Sequence, residues 1–152
     1  MDINNKRNPK RENPQMVPQP LREDPGMVLV DTTWGKIQPI DIAEGVRTVD
    51  EMQVYEFQQK GLQIIDARKT HFYEELTIPG SINIPHTEIV DRMDELDRSR
   101  PAIFFCNGLQ CPQSPTAIKN LLEAGYPADK IWYYRGGMHD WITVGLPVKK
   151  PE

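Results

Sequence analysis

Short apolar segments alternate along the chain with segments in which apolar residues recur every three or four positions. Leu62 to Asp66 and Ala102 to Phe105 are nearly continuous apolar runs, which is typical of strands covered on both faces of a parallel sheet. Ser81 to Ile84 and Ile131 to Tyr134 predict two further strands. The alternation of these strands with helical segments predicts an α/β domain with helices on both faces of the sheet.

The first helix is predicted from a capping pattern. Thr48-Val49-Asp50-Glu51 has the residues of a capping box, with Thr48 as the N-cap. This pattern predicts a helix over residues 49–60, with a core-facing side formed by Val49, Met52 and Tyr55.

Three more helices follow from helical spacing and from end signals. Thr87 begins a segment with apolar residues at helical spacing. Ser114-Pro115 has the composition of an N-cap and first turn, and Gly125 is a natural stop for that helix. Gly136-Gly137 leads into a short last helix around Trp141.

The N-terminal part of the chain has a different composition. Residues 1–25 hold five of the fourteen prolines and few large apolar groups, too few to offset the chain entropy lost on folding. We therefore predict a flexible arm, solvated or used to dock a partner. A single domain then occupies residues 26–152, with a short N-terminal β extension that includes Val28 to Val30.

Size and charge exclude several classes of function. The chain of 152 residues is long enough for one domain core and crowded for two. Its net charge of −4 argues against a surface that binds nucleic-acid phosphates or anionic lipids. The sequence has neither a membrane-length apolar run nor a secretory signal pattern, which predicts a cytoplasmic protein with no membrane partner.

Polar side chains follow three of the predicted strands. Asp66 and Arg68, Cys106, and Arg135 stand at strand ends, and the carboxyl ends of parallel strands form one rim where ligands bind. A loop and a helix start follow Cys106, so backbone N–H groups and a helix end there would lower its thiol pKa from about 8.5. The sequence thus allows either a nucleophilic thiolate or a small buried side chain at this position.

Four motifs in order carry a resemblance to a known family. They are Asp66-Ala67-Arg68, Ile78 to Pro85, Ile103 to Cys106, and Gly136 to Trp141 followed by Gly145 to Val148. With them the chain from about residue 45 to 148 resembles a rhodanese domain, the fold of sulfurtransferases. The resemblance implies a three-layer rhodanese-like fold, with a mostly parallel five-stranded sheet between helices.

The resemblance also implies a function. Cys106 would be the catalytic cysteine of a sulfurtransferase or sulfur carrier, alternating between thiol and persulfide. It would need no metal or organic cofactor. Its partners would be a sulfane-sulfur donor, namely a thiol or protein persulfide or thiosulfate, and a thiol acceptor. The loop that would cradle the transferred sulfur consists of Asn107, Gly108, Leu109, Gln110, Cys111, Pro112, Gln113 and Ser114.

Two features modify this expectation. The loop after Cys106 carries no charged residue, so a doubly charged donor such as thiosulfate gains few charge-assisted hydrogen bonds. Cys111 is either a resolving thiol that attacks the persulfide or a passive packing residue. In the family the Asp-x-Arg pair is generally structural, which favours a scaffold role for Asp66 and Arg68. Arg68 and Arg135 are also candidate binders of an anionic donor.

Other functions use similar residues. A cysteine phosphatase needs an arginine six positions after its nucleophile, and residue 112 is proline. A thiol redox enzyme using Cys106 and Cys111 and a non-catalytic binding or regulatory module remain as alternatives. The three histidines are spread over separate segments and predict no zinc site.

Overall fold

A parallel five-stranded sheet organises the chain, and its strands at Ile64–Asp66 and Ala102–Phe105 are fully buried. The computed structural model describes residues 36–151, together with the backbone of residues 19–20 and 28–29. All neighbouring strands of the large sheet are parallel, in the order β3-β7-β6-β4-β5. The strands in chain order are β1 (Gln19–Pro20), β2 (Val28–Leu29), β3 (Arg47–Val49), β4 (Ile64–Asp66), β5 (Ile82–Asn83), β6 (Ala102–Phe105) and β7 (Ile131–Tyr134).

Helices cover both faces of this sheet. They are α1 (Glu51–Gln59), α2 (Thr70–Glu75), α3 (Gln113–Glu123) and α4 (Gly137–Thr143), with short 3-10 helices at Met93–Glu95 and Ala128–Lys130. Helix α3 packs on one face over a core that includes Phe104 and Tyr133. Helices α1 and α4 pack on the other face, over a core that includes Phe105 and Tyr134. Successive residues of each central strand therefore point into opposite cores. This arrangement of one sheet between two helical layers confirms the predicted α/β architecture.

The first helix begins later than the capping pattern predicts. Asp50 caps it: the Asp50 carboxylate accepts the N–H of Gln53 over 3.2 Å, and the Gln53 side chain accepts the N–H of Asp50 over 2.9 Å. Thr48 lies in β3 instead. The predicted core-facing side is therefore wrong: Val49 is buried in β3, Met52 and Tyr55 are exposed, and the buried residues of the helix are Val54 and Phe57.

Two other helix predictions are corrected. The segment from Thr87 forms a series of turns that ends in the 3-10 helix Met93–Glu95. The residues whose spacing suggested a helix are Ile89, Met93 and Leu96; Ile89 and Leu96 are still buried, and Met93 is half-buried. Helix α3 begins at Gln113, so Ser114 lies within its first turn and does not cap it.

The N-terminal strands form a sheet of their own. In this two-stranded antiparallel pair, Gln19 lies opposite Leu29 and Pro20 opposite Val28. The other residues of the predicted arm over 1–25 lie outside the described residues, so the arm stays a prediction. Within the part of the chain that the structure describes, no helix is long and apolar enough to span a bilayer.

Candidate active site

Cys106 lies at the centre of the sheet's carboxyl edge. It follows β6, the middle strand, and precedes a loop that leads into α3. The N–H of Ser114 donates to Cys106 Sγ over 3.3 Å, and the protonated thiol can donate to the carbonyl oxygen of Cys111 over 3.5 Å. Cys106 is only 2% exposed. The loop therefore folds over this sulfur and surrounds it with polar main-chain groups.

Cys111 lies against Cys106 in the same loop. Its side chain is fully buried, and its carbonyl oxygen lies 3.5 Å from Cys106 Sγ. Its thiol can donate to Oε1 of Gln113 over 3.7 Å. The loop thus brings its two cysteines together.

Helix α4 holds this loop in place. The N–H of Met138 donates to the carbonyl oxygen of Cys106 over 2.9 Å, and the N–H of His139 donates to that of Asn107 over 2.8 Å. Gly137 makes this approach possible because it has a φ of +58° and no side chain. A Cβ at Gly137 would lie 2.3 Å from the Cys106 carbonyl oxygen, which is a steric clash. Only glycine, which has no Cβ, fits at this position without moving the loop.

A buried ion pair supports the loop from the side of β4. The guanidinium of Arg68 donates to the Asp66 carboxylate through Nε and Nη2, the latter over 2.7 Å, and both side chains are fully buried. Arg68 Nη1 reaches Asn107 Oδ1 over 3.3 Å. Thr77 Oγ1 donates to the same carboxylate over 2.8 Å. These contacts fix Asn107, which follows the candidate nucleophile, and make Arg68 a positioning residue.

Arg135 lies at the same rim and holds a segment that precedes β3. Its Nε and Nη2 donate to the carbonyl oxygen of Gln38 over 2.9 and 2.6 Å. The N–H of Gln38 in turn donates to the carbonyl oxygen of Leu109 over 2.7 Å. Arg135 therefore supports the candidate loop through Gln38, and two of its three nitrogens are bonded to protein.

Comparison with protein families gives this arrangement a name. The family described as rhodanese-like domain matches residues 51–143, which include the central strands and the cysteine loop. The chain belongs to the rhodanese-like domain family. The resemblance inferred from the four sequence motifs is confirmed.

Individual relatives of this rhodanese-like chain differ in size. It is 35% identical over 85 residues to the HTH-type transcriptional regulator Rv0324 of Mycobacterium tuberculosis, a match that covers 56% of this chain and 36% of the regulator. It is 28% identical over 89 residues to a sulfurtransferase of Allochromatium vinosum, covering 59% of this chain and 79% of that protein. The chain thus spans about a third of the regulator's length.

A solved structure has the same fold. The crystal structure of a rhodanese-related protein from Thermoplasma volcanium superposes with a TM-score of 0.58 at 27% identity, covering 69% of this chain and 99% of the other.

The two thiols of this rhodanese-like site differ in their affinity for a proton. Burial opposes ionisation of Cys106, and so does the charge of Asp66, but hydrogen bonds from Cys111 and Ser114 outweigh both and lower the pKa of the Cys106 thiol. The hydrogen bond to Cys106, followed by burial and the Cys106 charge, raises the pKa of Cys111 well above its usual value. The pair therefore ionises at Cys106 first, while Cys111 keeps its proton.

This assignment predicts a difference between two substitutions at Cys111. A serine retains a hydrogen-bond donor beside Cys106 and an alanine removes it. Because a hydrogen bond to a charged group is worth about 1.5–3 kcal/mol, the Cys106 titration midpoint should be higher in Cys111→Ala than in Cys111→Ser by about one to two pH units. Thiolate ultraviolet absorbance measures it, since each variant has one thiol. Equal midpoints would show that Cys111 donates nothing to Cys106.

Sequence reasoning missed one buried side chain near the thiols. Tyr133 lies beside Phe104 in the β6–β7 register, on the face of the sheet that Cys106 shares. Its hydroxyl and Nδ2 of Asn107 are buried with no hydrogen-bond partner in the described structure. Burial, then the charges of Cys106 and Cys111, raise the pKa of Tyr133, which keeps its proton. Tyr133 lies 27 residues beyond Cys106 in an apolar strand, so no local pattern marks it.

Proposed function

We propose that the chain is a sulfurtransferase or sulfur carrier that moves sulfane sulfur through a persulfide on Cys106. The observation that carries the proposal is the environment of Cys106 Sγ, which accepts the Ser114 N–H and a hydrogen bond from Cys111 at the carboxyl edge of the sheet. These donors favour a thiolate, the nucleophilic form of cysteine. Membership of the rhodanese-like family and the similarity to a named sulfurtransferase support the same chemistry.

The reaction has two half-reactions. The Cys106 thiolate attacks the outer sulfur of the donor, an S–S bond forms, and the donor's own bond to that sulfur breaks as its leaving group departs with the electron pair. An acceptor thiolate then attacks the outer sulfur of the persulfide. The bond between the two persulfide sulfurs breaks, and the Cys106 thiolate returns.

Two uncharged hydrogen-bond donors near Cys106 are available to a sulfur atom bound there. Nδ2 of Asn107 and the hydroxyl of Tyr133 are buried near Cys106 with no hydrogen-bond partner in the described structure. Buried polar groups without partners are costly and rare in folded proteins. We infer that an anionic outer sulfur on Cys106 uses one or both of them, because each can donate a hydrogen bond without needing a charge.

The same arrangement predicts a donor preference. Residues 107–113 include no charged side chain, Arg68 is paired with Asp66, and Arg135 is bonded to Gln38. Thiosulfate therefore meets no cation in the loop itself, and at the rim two of the three Arg135 nitrogens are already bonded to Gln38, so few charge-assisted hydrogen bonds are available to this donor. Because one charge-assisted hydrogen bond is worth about 1.5–3 kcal/mol, kcat/KM should be at least about tenfold higher for a small-molecule persulfide than for thiosulfate.

Steady-state donor consumption with excess dithiol acceptor measures this preference, and Cys106→Ala gives the background. Gln110→Lys adds a cation to the loop and should improve thiosulfate use, whereas Gln110→Met, similar in length and uncharged, should not. A strong preference of the parent protein for thiosulfate would contradict the predicted donor class.

A regulatory module is a second candidate, favoured by the 35% identity to a transcriptional regulator. A purely non-catalytic module would not consume donor, and Cys106→Ala would then match the parent protein in the same assay. Donor consumption that depends on Cys106 therefore separates the two candidates.

A further inference from the structure

The contact between the two cysteines goes beyond what sulfur transfer requires. Transfer through Cys106 needs one thiol, yet the only other cysteine of the chain is buried against it. A turn in which the Cys111 N–H donates to the Gly108 carbonyl oxygen over 3.0 Å brings Cys111 back towards the strand end. The Cys111 carbonyl oxygen lies 3.5 Å from Cys106 Sγ, and each cysteine shifts the pKa of the other thiol.

We propose that Cys111 is a resolving thiol, which gives the site a second activity: the release of the bound sulfane sulfur as sulfide when no acceptor is present. The inference rests on the proposed persulfide at Cys106. It adds a fate for that persulfide that depends on Cys111 alone.

The step is balanced within the chain. Cys111 Sγ attacks Cys106 Sγ, the inner sulfur of the persulfide, and a Cys106–Cys111 disulfide bond forms. The bond between inner and outer sulfur breaks, and the outer sulfur leaves with the electron pair as hydrosulfide, carrying the proton from Cys111. The outer sulfur is thereby reduced to sulfide, and the two cysteine sulfurs are oxidised to a disulfide. An external dithiol then reduces the disulfide and is itself oxidised.

The surroundings of Cys111 make its attack depend on the presence of a persulfide on Cys106. In the free site the neighbouring Cys106 thiolate keeps the proton on Cys111. In the persulfide the negative charge moves from Cys106 Sγ to the outer sulfur, which points away from Cys111 when Cys111 attacks the inner sulfur in line, so the restraint on the Cys111 proton weakens. Backbone hydrogen bonds from Asn107 and Gln113 act in the opposite sense to the Cys106 charge and lower the pKa of the Cys111 thiol. Cys111 therefore loses its proton more readily when there is a persulfide to attack.

Burial favours attack on the persulfide by Cys111 over attack by an external acceptor thiol. Cys106 is 2% exposed and Cys111 is fully buried, so an external thiol must enter the loop, whereas Cys111 is already in place. Groups held in such proximity react as if at a very high local concentration. Only an abundant or well-bound acceptor competes with release.

The test is a single turnover with reduced protein and no added thiol. Thiosulfate is the donor, because its leaving group is sulfite and any sulfide must come from the transferred sulfur. The parent protein should release one equivalent of sulfide per chain and become lighter by two hydrogen atoms, the mark of a disulfide. The rate should be independent of protein concentration, since the step is within one chain.

Two variants make the outcome specific. Cys111→Ser should release no sulfide and should keep the added sulfur on the chain, and Thr116→Ser, an exposed position of α3, should match the parent. A parent protein that keeps its persulfide, or a Cys111→Ser variant that releases sulfide equally fast, would overturn the resolving role alone. Circular dichroism confirms that each variant is folded. If neither thiosulfate nor a small alkyl persulfide places sulfur on any form of the chain, both this inference and the proposed function are wrong.

Discussion

Replacing Gly137 with alanine should lower the rate of sulfur transfer by about a hundredfold, the loss expected when reacting groups are displaced by roughly 1 Å. A Cβ at this position would lie 2.3 Å from the Cys106 carbonyl oxygen and 2.8 Å from the Gly108 nitrogen. Both atoms belong to backbone, so the loop that carries the nucleophile must move. The strained φ and the overpacking should together destabilise the fold by about 2–5 kcal/mol.

Gly145 provides the matched control. It also has a positive φ, +81°, but a Cβ there would meet nothing within 4 Å. Gly145→Ala should therefore cost only the conformational strain, about 1–2 kcal/mol, and should leave transfer unchanged. Donor consumption and urea denaturation measure the two effects. Equal losses in both variants would show that the contact with the Cys106 loop is unimportant.

Replacing Arg68 with methionine should produce the largest loss of stability among side-chain substitutions near the site. The change leaves the Asp66 carboxylate fully buried without its cation, and breaking a buried ion pair in this way costs about 3–5 kcal/mol. It also removes the hydrogen bond from Arg68 to Asn107, so the transfer rate should fall along with stability. Urea denaturation at neutral pH gives the stability change.

Two controls accompany this substitution. Arg92→Met removes a cation from a short but exposed pair with Glu95, at 2.6 Å, and should change stability little because surface pairs contribute little. Asp66→Asn combined with Arg68→Met removes both charges and should be less destabilising than the sum of the two single changes. Additive effects would contradict the assigned pairing.

Patterns of buried residues predicted the sheet well, because burial on both faces leaves a direct mark on composition. The segments for β6 and β7 were predicted with the observed bounds. Gly125 does end the helix before it, with a φ of +89° that suits glycine. Where two capping signals lie close together, the sequence alone does not determine where the helix begins. Thr48 and Asp50 are both good caps two residues apart, and pairing of Thr48 with β7 decides between them.

The segment from Thr87 to Leu96 shows a related limit. Apolar spacing reports which residues are buried, and turns can bury Ile89 and Leu96 as well as a helix can. The spacing of apolar residues alone therefore does not identify the backbone conformation.

The candidate site was predictable only in part. A cysteine after a buried strand marked the position of Cys106, whereas Gly136-Gly137 was predicted only as the start of the last helix, and its close approach to the loop was not. The contacts from Gln38 and Tyr133 come from distant parts of the chain and leave no local signal. Whether Cys111 contacts Cys106 depends on how the loop folds, which the spacing of the two cysteines does not determine.

The persulfide on Cys106 is tested most directly in Cys111→Ser protein, where the proposed internal release cannot occur. The protein is incubated with a small-molecule persulfide, desalted, and analysed by intact mass and by peptide mapping after alkylation. We predict a gain of one sulfur atom, located on the peptide that contains Cys106, removed by a reducing dithiol, and absent in Cys106→Ala/Cys111→Ser. A folded Cys111→Ser chain that gains no sulfur, or gains it equally in the double variant, would contradict the proposed chemistry.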